Sequence, residues 1–325
     1  MRRYQLAFFA LLLVGLVSPL LTQVQANQAK INGIFYFPIK EMGKKMGLKF
    51  YTIAKDEQVG LKGKTARFTF RKDSATITLN GHIILLEYPV KCHNGKFYLS
   101  QHDYKNTLAP LLLPHAQGFP PKLYNIVIDA GHGGKDPGTT NTGLNLKEKE
   151  MALDVAKRLQ KLLISAGYSA TLTRSNDTFI ELGRRSSIAN AANADLFVSV
   201  HFNSVGSNKQ NVAGIETYVL RSINNQNYSG NKNNAWNVLV GYYVQTSLRQ
   251  YVNGNDRGLK RANFKVLKDI TCPGILVEAG FISNPKEASK ISSAAYRQKL
   301  AQGIMNGILQ YNRSLNNARA IVKNK

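Results

Sequence analysis

The strongest constraint on this chain is an alternation that begins at Tyr124. Apolar runs of strand length, "YNIVIDA", "DLFVSVHF", "GIETYVL" and "GILVEAGF", are separated by stretches long enough for helices. Lys147–Ala166 places Met151, Val155, Leu159, Leu162 and Leu163 at helical spacing. "YSATLTR" reads as a further strand, "RSSIANAANA" and "NAWNVLVGYYVQTSLRQYV" as helices, and Asn284–Leu315 as one or two more. Each apolar run must be covered by its neighbouring helices. That requirement predicts an α/β domain over 124–313, with a central twisted, mostly parallel sheet and helices on both faces.

The preceding residues have another texture. In 27–116, "ARFTFRKDSATITLNGHIILLEYPV" alternates apolar and polar residues, and Asn80-Gly81 is a two-residue hairpin signal. This predicts a small, strand-rich α+β domain. The Tyr36-Phe37-Pro38 strand, the short helix before Gly47, strands around Asn80-Gly81 and then "GKFYLS" with a helix resemble copper amine oxidase N-terminal-like domains. A wall-binding module, a partner-recruiting domain or a passive spacer is the expected role. His82, His93, His102 and His115 are scattered, so they read as surface residues and not as a copper site. "PHAQGFPPKL" concentrates Pro and Gly, and 117–123 reads as a linker. Residues 314–325 read as a basic C-terminal tail.

The N-terminus carries Arg2 and Arg3, an apolar stretch Leu6 to Val17 and the small-x-small triplet Val24-Gln25-Ala26. This is the pattern of an export signal over 1–26, with the protein destined for a periplasmic, cell-wall or extracellular location. The chain has 325 residues and a net charge of +24, and two of those charges lie in the leader. Such a surface attracts polyanions. For an exported protein these are anionic envelope polymers or carboxylate-bearing peptides, and no aromatic-interleaved nucleic-acid module is present. The only cysteines, Cys92 and Cys272, fall in different domains and read as unpaired thiols.

In open α/β sheets the working residues gather at the carboxyl ends of strands. His132 lies two residues beyond the Tyr124–Ala130 run, His201 ends Asp195–Val200, and Glu278 ends "GILVE". Glu148 and Glu150 open the helix that follows the His132 loop, and residue type alone leaves the choice between them open. Two imidazoles and a carboxylate hold hydrolytic zinc when a position stays free for water. A further carboxylate can move the water's proton. Gly131, Gly133 and Gly134 leave the backbone room to turn there. The G-x-G-x-x-G and G-x-x-x-x-G-K-[ST] patterns are absent, which argues against nucleotide binding, and H-E-x-x-H is absent, which argues against a helix-borne zinc endopeptidase site.

The ordered segments "IVIDAGHGGKDPGT", "EKEMALDVAKRL", "GYSATLTRSNDTFIELGRRSSIANAANADLFVSVHFNS" and "RGLKRANFKVLKDITCPGILVEAGFISNPKEA" resemble zinc-dependent N-acetylmuramoyl-L-alanine amidases of the AmiA/AmiB/AmiC and CwlV type. The resemblance implies one zinc ion per catalytic domain, held by His132, Glu148 and His201, with Glu278 as catalytic general base and acid. It implies peptidoglycan as substrate and the bond between N-acetylmuramic acid and L-alanine as the one cut. It leaves Glu150 as an exposed first-turn residue. Arg174 and Arg185 match motif arginines and read as structural ion-pair partners. Asp129 and Asn203 read as residues that orient the ligand histidines. Some relatives insert an inhibitory helix between the last two motifs, for which Arg221–Gly258 leaves little room, so an open site is expected. A monomer is expected, and the sequence leaves open whether an activating protein of unknown identity is needed.

Overall fold

The computed structural model describes residues 28–206, 211–221 and 231–324. The export signal over 1–26 lies outside the described residues, as do 222–230 of the segment expected to lack an inhibitory helix. The chain divides into two compact units. One runs to Gly81 and includes Leu86–Lys105; the other comprises His82–Leu85 and the chain from Asn106 onward.

The first unit contains an antiparallel sheet in the order Ala29–Ile31, Ile34–Pro38, Lys96–Ser100, Lys91–His93. It also contains an antiparallel run of Lys49–Ala54, Gln58–Lys62, Arg67–Arg71 and Thr76–Leu79. Alternation explains the run: Phe68 and Phe70 are buried, while Thr69 between them meets Thr78, hydroxyl to hydroxyl, at 2.6 Å. Asn80 and Gly81 both adopt positive φ, 52° and 84°, as a type I′ turn demands.

The second unit is built on strands β1 (His82–Leu85), β2 (Asn125–Ala130), β3 (Ser169–Leu172), β4 (Leu196–Asn203), β5 (Ile215–Leu220), β6 (Asp256–Ala262) and β7 (Gly274–Phe281). Their order is β3-β2-β4-β7-β5-β6-β1. All neighbours run parallel except β5 and β7. The long helices are α1 (Glu148–Ser165), α2 (Leu182–Ala191), α3 (Asn234–Val252), α5 (Pro285–Ser292) and α6 (Ala294–Lys323), with α4 (Lys265–Lys268) a single turn. Strands covered on both faces are mostly apolar, and β2 is buried from Ile126 to Ala130, with Asp129 its one buried charge.

Strand alternation sends residues to two helical layers. Val127, Phe197 and Leu276 pack with Ala189 of α2 and with Val266 and Leu267 of α4. On the opposite face α3 lies so close that a Cβ on Gly241 would meet Leu259, Val219 and Ile275. α6 then packs on α3 and α1. A Cβ on Gly307 would stand 2.5 Å from Val244 Cα, so α6 and α3 cross backbone against backbone.

Three sequence expectations change. Residues 314–325 do not form a tail: α6 runs to Lys323 and buries Leu315 and Ala318. The 117–123 stretch is strapped to that helix, since Arg319 Nε donates to the Pro120 carbonyl at 3.2 Å and Nη2 to that of Pro121. Proline lacks an N–H, but its carbonyl still accepts, and this is what composition hides. His82 is not a surface residue: its side chain is 12% exposed and stands 3.4 Å from Asp256. Cys92 and Cys272 are both free thiols. No helix among the described residues is long and apolar enough to cross a membrane.

Candidate metal centre

The order β2-β4-β7 places three strand ends side by side, and each delivers one group. His132 follows β2, His201 lies in β4, and Glu278 in β7 is the register partner of His201. Glu148 is the first residue of α1, 3% exposed. One ligand atom each from His132, Glu148 and His201 lies within 4.8 Å of the others. Glu148 Oε1 is 2.9 Å from His132 Nε2 and 3.0 Å from His201 Nδ1. Glu150 is exposed and, among the described residues, pairs with Lys147 at 3.8 Å. The tertiary structure therefore makes the choice that residue type left open.

The surroundings fix these groups in place. Glu148 Oε1 also accepts from Phe202 N at 3.0 Å, and Oε2 from Thr139 N at 2.9 Å. His132 takes φ of 60°, a left-handed conformation rare outside glycine and a mark of functional sites. Its Nδ1 is held by Asp136 Oδ2 at 2.8 Å, which leaves Nε2 to face the cluster. Room is made by glycine. A Cβ on Gly131 would come within 2.3 Å of the His201 ring, and one on Gly138 within 2.7 Å of both Glu148 and His132.

Two arginines hold the loop that carries His132. Arg185 Nη1 donates to Asp129 Oδ1 at 2.9 Å and to the Ala130 carbonyl at 2.7 Å, and Nη2 to the His132 carbonyl at 2.7 Å. Arg174 donates to the carbonyls of Ala130, Gly131, Lys149 and Asn176. Arg185 thus forms a buried ion pair, whereas the bonds of Arg174 all go to backbone carbonyls. Among the described residues, neither Asp129 nor Asn203 bonds a ligand histidine through its side chain. Asp129 is saturated by Arg185, Thr173 and Ser199, because a carboxylate inside the sheet must be neutralised locally. Asn203 accepts from Ser204 N at 2.8 Å and reaches Glu216 at 3.4 Å. Asp136 takes the orienting role, and it lies four residues after His132 in the same "GHGGKD" loop. Glu216, the one charged residue of β5, is the other residue sequence reasoning passed over.

The electrostatics divide the carboxylates. Burial disfavours the charge on Glu148, but the two histidines outweigh it and hold the carboxyl well below the usual range. Burial likewise opposes protonation of His132, yet Glu148 and Asp136 raise its pKa. For Glu278 burial prevails, with the charges of Glu148 and Glu216 adding to it, and its pKa is pushed up to about 7. Its Oε2 is buried with no hydrogen-bond partner among the described residues. Two nitrogens, one oxygen, a carboxylate orienting one imidazole and a second free carboxylate fit a zinc site of the hydrolytic type.

Comparison with known proteins agrees. The family model described as "N-acetylmuramoyl-L-alanine amidase" (Amidase_3) matches residues 126–310. The chain is 40% identical over 188 residues to N-acetylmuramoyl-L-alanine amidase LytC of Bacillus subtilis, covering 58% of this chain but only 35% of that protein. It is 31% identical over 234 residues to AmiA of Escherichia coli, covering 62% of this chain and 80% of that protein. Among solved structures, an N-acetylmuramoyl-L-alanine amidase from Clostridium difficile 630 aligns with a TM-score of 0.53 at 35% identity, over 59% of this chain and 98% of that one. The catalytic domain of CwlV from Bacillus (Paenibacillus) polymyxa gives 0.52 at 33% identity, over 58% and 98%. The match spans more than half of the chain and contains every member of the His-Glu-His cluster, so the protein belongs to the Amidase_3 family of N-acetylmuramoyl-L-alanine amidases.

Proposed function

We propose that this chain hydrolyses the amide between the lactyl group of N-acetylmuramic acid and the L-alanine of the peptidoglycan stem peptide. The observation that carries this reading is the buried, unpartnered Oε2 of Glu278 beside the His132–Glu148–His201 cluster. A buried carboxylate oxygen without a donor is costly, which points to a working group. His132, Glu148 and His201 would hold a zinc ion, which would supply the Lewis acidity that makes water a nucleophile at neutral pH. Glu278 accepts the proton of that water as its oxygen bonds to the amide carbon. When the carbon–nitrogen bond breaks, Glu278 returns the proton to the departing alanine nitrogen. Burial, with the charges of Glu148 and Glu216, raises its pKa above that of an ordinary carboxyl, which suits a group that must take and then give a proton.

The rest of the reading extends beyond the site. The enzyme acts outside the cytoplasm, in the periplasm or at the cell wall, as a monomer, and its basic surface adheres to anionic envelope polymers. The first unit serves as a wall-binding module or a spacer, and any activating partner would act from outside the chain. The test is digestion of purified peptidoglycan by residues 27–325, with and without chelator, read by mass spectrometry. Free stem peptides beginning at L-alanine are expected, and they disappear on chelation and return with zinc. Cuts elsewhere in the peptide would sink the reading, and no cut with zinc bound stoichiometrically would sink the reading of a chain that acts without an activating partner.

A further inference from the structure

Beside Glu278 lies a second polar cluster that the hydrolytic step leaves unused. Glu216 of β5 is the register partner of Glu278. It is 1% exposed. Its Oε2 accepts from the Tyr218 hydroxyl at 2.5 Å and from Asn203 Nδ2 at 3.4 Å. Its Oε1 meets Lys260 Nζ at 2.8 Å and the Nε of Arg257. One carboxylate therefore carries two cations, and a positive charge is left over.

Arg257 is where that surplus can act. It spends Nε on Glu216 and lays its guanidinium against the Phe281 ring, 5.1 Å from the centroid. Neither Nη has a hydrogen-bond partner among the described residues, and the side chain is 34% exposed. The contrast with Arg174 and Arg185 is direct, since both of those use their Nη groups on the protein. A fixed guanidinium edge with two free Nη groups matches the geometry of a carboxylate.

Sheet order supplies the direction. The metal ligands lie on the β2/β4 side of Glu278, and Arg257 and Lys260 lie on the β5/β6 side. The amide carbonyl belongs with the metal ligands, and Glu278 serves the amide nitrogen. The chain continuing from that nitrogen, which is the peptide, then runs toward Arg257. The lactyl carboxyl is consumed in the amide, so a free carboxylate near the scissile bond can only be on the peptide. We propose that Arg257, with Lys260 beside it and Glu216 as the positioning residue, is a subsite for the first free carboxylate of the leaving peptide.

This inference rests on the amidase reading, and its test separates the two. The zinc-loaded full chain is given two synthetic muramyl peptides that differ only in the α-carboxyl of the second residue, free in one and amidated in the other. The free carboxylate should be preferred in kcat/KM by on the order of 10-fold to 100-fold, mostly through KM, as expected for a charge-assisted pair. Arg257→Gln should bring that ratio toward one, and Arg257→Lys should recover part of it. Calorimetry of the released peptides on the unmodified protein should show the same preference in Kd, without any variant. Equal cleavage of both substrates with equal Kd would overturn the subsite and leave the amidase intact. No cleavage of either, with zinc bound, overturns the amidase reading and the subsite with it.

Discussion

Two buried carboxylates flank Glu278 across the sheet, and their donors set them apart. Glu148 is held by two imidazoles, at 2.9 Å and 3.0 Å. Glu216 is held by a lysine, an arginine and a tyrosine hydroxyl. An imidazole can give up its proton and present a lone pair, so the first cluster can turn into a ligand set. Ammonium and guanidinium groups present no lone pair, so the second cluster can only neutralise a charge or attract one. Similar burial and the same central acid thus produce a metal centre on one side and a cationic edge on the other.

The largest expected effect falls on the residue between them. Glu278→Gln should lower turnover by roughly 10²- to 10⁴-fold, the usual share of a general acid–base, while zinc stoichiometry stays at one. A second measurement, the pH profile of kcat/KM, bears on the same group. The base works deprotonated, so the rate should fall tenfold per unit below its pKa. Burial pushes the Glu278 carboxyl up to about 7 without the metal, and the charge of a bound zinc lowers it, so the limb of the zinc-loaded enzyme should fall below 7. A rate that rises toward acid would contradict the assignment.

Next comes the comparison itself. Glu148→Gln should abolish zinc binding, measured by elemental analysis after dialysis, whereas Glu216→Gln should retain it. The cost of Glu216→Gln should be stability, on the order of 2 kcal/mol by denaturant unfolding, below the figure for fully buried pairs because Arg257 and Lys260 are partly exposed. Loss of zinc from both variants would show that the two clusters are not independent. The smallest effect lies away from the site: Gly307→Ala should cost about 1–3 kcal/mol through overpacking against α3, with zinc affinity unchanged.

Much of the second unit was legible because parallel strands buried on both faces must be apolar along their length. The runs "NIVIDA", "LFVSVHFN" and "GILVEAGF" announce themselves without any partner. His132, His201 and Glu278 were legible for the same reason, as chemistry-bearing residues at the ends of such runs. Asp136 was passed over because its role depends on how the glycine loop curls back, with Gly133 N bonded to Asp136 O at 2.9 Å. Asp129 was misplaced because a carboxylate two residues before the loop looks close to His132, while strand alternation points it at Arg185, Thr173 and Ser199. The 117–123 stretch and the last helix were misread for a common cause: their partners lie about 200 residues apart in the chain, as the Arg319–Pro120 bond shows, with a separation of 199 residues.

By itself the sequence determined the α/β layering, the family resemblance and which residue types could meet at one sheet edge. These follow from local periodicity and from strand ends, which are properties of short windows. Only the tertiary structure decided which glutamate faces the histidines, which carboxylate orients His132, and that Glu216 stands beside Glu278 with two cations on it. Those outcomes depend on strand order, and the placement of β5 between β7 and β6 is fixed by packing across the whole sheet.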